Sequence, residues 1–183
     1  MIGEKSQSQG SPMDDETRAQ IIAAAREAVA AWPYGQRTWD IKPGHEPQTL
    51  DGAGPAQQRV VTWARQTSAS GIDLCAEWIE RVFAAAGLFY CEVNAQDIYE
   101  RYCGLTELDQ LKVGMVVAVP AHPHSMSGRS LGHVGLYVGD GLVMDCLGGR
   151  VRTAPVEAWL TIYGALCEPR WGWLFSIDLA ECR

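Results

Sequence analysis

Cys75 and His133 are the residues of this chain whose types and settings suit nucleophilic chemistry. Cys75 lies in GIDLCAEWIERVFAAAGL, residues 71–88, where an apolar periodicity of helical spacing begins. A helix N-terminus carries about half a positive charge and unpaired N–H donors. Both favour thiolate over thiol, and the thiolate is the nucleophile. The same donors, that of Ala76 among them, suit a developing oxyanion. A cysteine can be buried for packing alone, but the start of a helix favours the chemical reading here. His133 opens LGHVGLYVGDGLVMDCLGG (from Leu131), beside small glycines. As the base, it takes the thiol proton and returns it to a leaving amine. Asp145 follows on the returning segment, where a carboxylate can accept from the second ring nitrogen and fix its tautomer.

The elements that must position these groups follow from periodicity and breakers. Trp78, Ile79, Val82, Phe83 and Ala86 form one stripe, predicting a helix over Leu74–Ala86 that Gly87 ends. Earlier, Ile21, Ile22, Ala25 and Val29 predict a helix capped by Asp14 or Asp15 and stopped by Pro33. Residues 35–56, rich in glycine and proline, read as a long irregular loop bordering the cleft, with a short helix from Ala56 to Thr67 after it. Further helices are expected over Ala95–Tyr102 and Thr106–Leu111. Beyond Lys112 the pattern turns to strands: Met115–Val119, Val134–Val138, Leu142–Cys146, Val151–Thr153 and Trp171–Ile177. Pro155–Tyr163 reads as a short helix or turn. Helices first and an antiparallel sheet after is an α+β order.

The hairpin around Gly139-Asp140-Gly141 decides whether the base and its partner can meet. A three-residue loop pairs Val138 with Leu142 and Gly135 with Asp145, leaving His133 and Asp145 on one face, diagonal to each other. A two-residue Asp140-Gly141 loop puts them on opposite faces, because a one-residue slip inverts every side chain. Both loops are accessible to this sequence.

Composition narrows the function. The 183 residues are 47% hydrophobic and 20% charged, with a formal net charge of −7. That suits a globular domain over residues 14–183, preceded by a flexible polar tail over 1–13. An acidic chain without a basic run is a poor nucleic-acid binder. No stretch approaches the roughly 20 apolar residues that span a bilayer. The start, MIGEKSQSQGSPMDDE, lacks the apolar core of a signal peptide. As encoded the chain reads as cytoplasmic, with export by another route or a removed signal left open. The six cysteines show no CxxC pair and read as free thiols. With four histidines and no ligand cluster, no metal or other cofactor is expected. His122 and His124 read as part of a solvated loop, Glu77 as a solvent-facing helix residue, and Trp39 as a substrate contact from the long loop.

The two motifs together resemble those of the NlpC-type papain-like cysteine peptidases, amidases and endopeptidases of bacterial cell wall. In that family a cysteine opens a helix ending in alanine-glycine, as Cys75 to Gly87 does here. LKVGMVVAV at 111–119 is similar to the family's entry to its first strand. HVGLYVGDG at 133–141 is similar to its histidine hairpin, and Asp145 stands where the third polar residue follows. Pro33-Tyr34 corresponds to the Pro-Tyr before the nucleophile, separated from Cys75 by a long insert. The sequence departs from the family in having Asp73-Leu74-Cys75-Ala76-Glu77 around the nucleophile and aspartate where histidine is common. The resemblance covers about residues 19–177. It implies a papain-like fold with Cys75, His133 and Asp145 catalytic and Tyr34 at the substrate, where Trp39 and Ala76 are also expected from their places in the loop and the helix start. It further implies a cell-wall peptide, or another peptide or amide, as that substrate. A thiol acyltransferase and a non-catalytic binding module of the same fold are the rival readings.

Overall fold

The computed structural model describes residue 50, residues 52–89 and residues 92–182. The expected tail over 1–13, the helix ending at Pro33, Tyr34, Trp39 and most of the loop over 35–56 lie outside the described residues.

The described chain begins with three helices. Helix α1, Pro55–Gln66, has proline in its first turn, where the missing N–H costs nothing. The Gly54 N–H donates to Gln57 Oε1 at 2.7 Å. Gln57 Nε2 in turn donates to the Val113 carbonyl at 2.7 Å, tying the helix to the entrance of the sheet. Helix α2, Cys75–Ala85, buries Trp78, Ile79, Val82 and Phe83, the expected stripe. Helix α3, Ala95–Tyr102, is capped by Asn94, whose side chain accepts from the Asp97 N–H at 2.9 Å.

Five strands follow: β1 Val116–Val119, β2 His133–Gly139, β3 Leu142–Leu147, β4 Arg150–Pro155 and β5 Arg170–Gly172. Helix α4, Met126–Leu131, lies between β1 and β2, and α5, Val156–Tyr163, between β4 and β5. The sheet runs in the order β4-β3-β2-β1-β5, and every pairing is antiparallel. The architecture is the α+β one expected. One apolar cluster joins α1, α2 and α3 to Val116, Ala118, Val134 and Leu136 on one face of the sheet. A second joins Val117, Val119 and Val143 on the other face to Val156, Trp159 and Tyr163 of α5. The strand alternation splits the two sets. Among the described residues no helix is long and apolar enough to cross a membrane.

The β2–β3 hairpin combines features of the two loops that the sequence allows. Gly135 faces Asp145, Leu136 faces Met144 and Tyr137 faces Val143, the register that puts His133 and Asp145 on one face. The loop itself is not three residues long. Asp140 and Gly141 form a two-residue turn with φ of 53° and 68°, and Gly139 pairs with Leu142. A bulge between Tyr137 and Gly139 supplies the extra residue and restores the register.

Two other expectations are corrected. The strand placed over Trp171–Ile177 stops at Gly172, and a 3₁₀ turn spans Leu174–Ser176. Phe175 and Ser176 take φ of 57° and 58°, which no strand accommodates. The turn carries the Phe175 ring to Phe89 and Tyr102, at 5.2 and 5.5 Å between centroids. The helix placed over Thr106–Leu111 is a single 3₁₀ turn, Leu108–Gln110.

Candidate active site

Cys75 is delivered by a sharp entry into α2. Asp73 adopts φ of 61°, a left-handed conformation that aspartate tolerates better than most residues. Leu74 follows as the N-cap, and its carbonyl accepts the first helical bond, from the Trp78 N–H at 3.1 Å. The N–H groups of Cys75, Ala76 and Glu77 therefore have no acceptor within the helix. Cys75 is buried, and the His133 side chain and the Val134 backbone N–H are the polar groups beside its sulfur.

His133 is the first residue of β2, where β1 ends opposite it at Val119. Gly132 makes this placement possible. It has φ of 73°, and a Cβ there would sit 2.0 Å from the Val119 carbonyl oxygen. His133 thus stands at the end of the sheet, where the apolar cluster containing Cys75 meets the one containing Trp159 and Tyr163. Its ring lies 4.4 Å from that of Tyr163 and stacks at 5.9 Å on that of Trp159. His133 Nε2 donates to Asp145 Oδ2 at 2.8 Å, leaving Nδ1 for the sulfur.

Asp145 is 1% exposed and fully engaged. Besides His133, it accepts from Arg152 Nε at 2.8 Å, from Arg152 Nη2 and from Trp159 Nε1 at 3.1 Å. Arg152 faces Asp145 directly across β3 and β4 and also donates to the Tyr163 hydroxyl. This is a buried carboxylate with its oxygens satisfied by two cationic partners and an indole.

The electrostatics follow from these contacts. Burial pushes the Cys75 thiol up, but the His133 charge and hydrogen bond and the Val134 N–H outweigh it, so its pKa is lowered. Burial alone would lower His133; Cys75 and Asp145 together raise it to about 9. Burial likewise opposes the Asp145 carboxylate, yet His133 and Arg152 hold it well below the ordinary carboxylate range. Both shifts move the pair toward thiolate beside imidazolium, backed by a carboxylate.

A cavity of about 400 Å³ opens over Cys75 and His133. Ala76 lies in its wall, as do Asp73, Glu77, Glu80, Glu92 and Asp97, and among the described residues no lysine or arginine lines it. Glu77, expected to face solvent, is half-buried in that wall. His122 is a second correction. It is 2% exposed, not solvated, and its ring packs at 5.1 Å on Tyr163 and 5.7 Å from His133. His124 is exposed, as expected.

The structure thus brings together Cys75, His133, Asp145 and Ala76. Arg152, Trp159, Tyr163 and His122 complete the site without having been singled out for it. For Arg152 a signal existed: a two-residue Gly148-Gly149 turn sets position 152 opposite 145. Trp159 and Tyr163, four apart, share a helix face, but nothing local says what that face covers.

No protein-family profile matches the chain. No curated protein matches it. Among solved structures, it is similar to a lipoprotein-like protein of the NLP/P60 family from Staphylococcus aureus, with 16% identity and a TM-score of 0.48 over 63% of this chain and 40% of that one. It is similar to NlpC1 from Trichomonas vaginalis, with 14% identity and a TM-score of 0.47 over 76% of this chain and 48% of that one. It is also similar to RipD from Mycobacterium tuberculosis, described as a non-catalytic NlpC/p60 domain protein adapted to peptidoglycan binding. There the identity is 16% and the TM-score 0.41, over 56% of this chain and 88% of that one. The chain spans less than half the length of the staphylococcal and trichomonad chains.

Proposed function

We propose that this protein is a cysteine hydrolase of amide bonds, with Cys75 as nucleophile, His133 as acid and base, and Asp145 as the group that orients the base. The observation that carries the reading is the linked set itself. The sulfur at the start of α2 lies beside an imidazole, which donates at 2.8 Å to a buried carboxylate, and sulfur and imidazole both line an open cavity. Cys75 thiolate attacks the amide carbonyl while first-turn N–H groups of α2 face the oxyanion. His133 then protonates the leaving amine, and an acyl-enzyme remains. Water, deprotonated by His133, releases the acid and restores the thiol.

The substrate we propose is a stem-peptide linkage of bacterial cell wall, processed within a catalytic domain over residues 14–183. Its support is the sequence resemblance of the cysteine helix and histidine hairpin to the NlpC-type peptidases, an analogy of family and not of site. The carboxylates on the cavity wall suit a substrate bearing amino groups. Purified cell wall incubated with the protein should release peptide fragments detectable by mass spectrometry, and Cys75→Ala should release none while folding normally. Turnover retained by Cys75→Ala would remove this mechanism. Cleavage of simple peptide amides with intact wall left untouched would keep the chemistry and overturn the substrate.

A further inference from the structure

His122 has a free ring nitrogen in a wall of the cavity that the hydrolytic mechanism does not use. The His124 backbone N–H donates to His122 Nδ1 at 3.2 Å, so that nitrogen carries no proton. The proton of the neutral ring is then on Nε2, for which no acceptor is found among the described residues. His122 Nε2 is not among the fully enclosed atoms without a partner, so this N–H keeps access to the cavity that His122 lines, where a bound group can accept from it. The ring is held rather than loose. The His122 backbone N–H donates to the Gly128 carbonyl at 2.9 Å, and the ring packs edge-on to Tyr163 and His133. Its Cε1–Nε2 edge lies against Gly128, which lines the same cavity as His122, Cys75 and His133.

We propose that His122 is a substrate-binding residue of this site, its Nε2–H donating a hydrogen bond to a carbonyl oxygen of the peptide in the cavity. This rests on the hydrolase reading. Burial, with the charges of His133 and His124, lowers the His122 pKa to about 4, so it stands neutral beside the imidazolium. A neutral donor there adds no repulsion to the base and selects an acceptor without charge.

The test uses a tripeptide aldehyde built on alanine. Cys75 sulfur adds to the aldehyde carbon, and the oxygen takes the imidazolium proton, giving a reversible thiohemiacetal. Binding is read as protection of Cys75 from iodoacetamide, which needs no turnover. His122→Leu should weaken protection about tenfold, and His122→Gln, which keeps an N–H donor, within about threefold. The rate of alkylation without aldehyde should be unchanged in both. Gly128→Ala offers an independent route, since its Cβ would lie 2.1 Å from His122 Cε1 and Nε2 and must displace the ring. It too should weaken protection while leaving alkylation intact. Unchanged protection in His122→Leu overturns the proposal, as does loss of alkylation in both His122 variants, which would make the ring a packing support. If Cys75 of the unaltered protein does not react with iodoacetamide, the hydrolase reading itself falls.

Discussion

Asp145 faces Gly135 across the β2–β3 ladder, and it accepts from His133 one side-chain step further along the same face. A Cβ at Gly135 would stand 2.6 Å from Val143 Cγ1 and 3.4 Å from Asp145 Cβ. The glycine thus lets β3 approach closely enough for the carboxylate to reach the imidazole diagonally. The distance between base and orienting group is set by the hairpin, not by either side chain alone.

Asp145→Asn should slow hydrolysis while keeping the packing. An amide can turn its NH₂ toward His133 and favour the wrong tautomer, which in serine triads costs about 10⁴ in turnover. A thiolate–imidazolium pair leans less on its third member, so the loss should be milder, about 10²-fold, and smaller than for Cys75→Ala. Steady-state kinetics of the two variants decide the order. A loss for Asp145→Asn equal to that of Cys75→Ala would make the carboxylate more than an orienting group.

His133 and Arg152 together make stability depend on Asp145 in acid. The folded Asp145 pKa is held below its ordinary value of about 3.9. A carboxylate with a depressed folded pKa stabilises above the unfolded value, and the contribution is lost as pH falls below it. Urea midpoints should therefore drop below about pH 4, and the drop should be shallower in Asp145→Asn. Arg152→Met leaves the carboxylate with one cationic partner in place of two, and should cost about 3 kcal/mol at pH 7. An unchanged midpoint in Arg152→Met would mean that the pair contributes no net stability.

Gly132→Ala should damage both fold and site. The residue has φ of 73°, and its new Cβ would press on the Val119 carbonyl at 2.0 Å. A loss of about 2–3 kcal/mol is expected, with His133 displaced from Cys75 and hydrolysis reduced. Gly141→Ala, also at positive φ but with open space around it, should cost about 1 kcal/mol and leave activity intact. Denaturation and rate measurements on the pair separate backbone strain from steric collision.

Much of this site was legible because it is built from local patterns. The stripe from Trp78 to Ala86 fixes where α2 starts, and so where Cys75 sits. Alternation along β2 and β3 gives the His133–Asp145 face once the register is known. The sequence allows two registers because a bulge, which no residue type announces, decides between them. Phe175 and Ser176 escaped for a similar reason, since their left-handed backbone answers to Phe89 and Tyr102 and not to their own preferences. Tyr163, Trp159 and His122 come together through packing of α5 and the β1–α4 segment over the end of the sheet. Such contacts join residues distant in sequence and leave no local trace.

The ionisation of Cys75 is the most direct test of the account. The rate of iodoacetamide modification at each cysteine, followed by mass spectrometry between about pH 5 and 9, reports each thiolate, since ordinary thiols ionise near 8.5. Burial raises the thiols of Cys103, to about 12, and of Cys146 and Cys167, whereas His133 lowers Cys75. Cys75 should therefore react far faster than these three below pH 7, and His133→Ala should move its profile to the alkaline side. A Cys75 that follows an ordinary thiol profile, unchanged by His133→Ala, would contradict the thiolate–imidazolium pair on which the proposed chemistry depends.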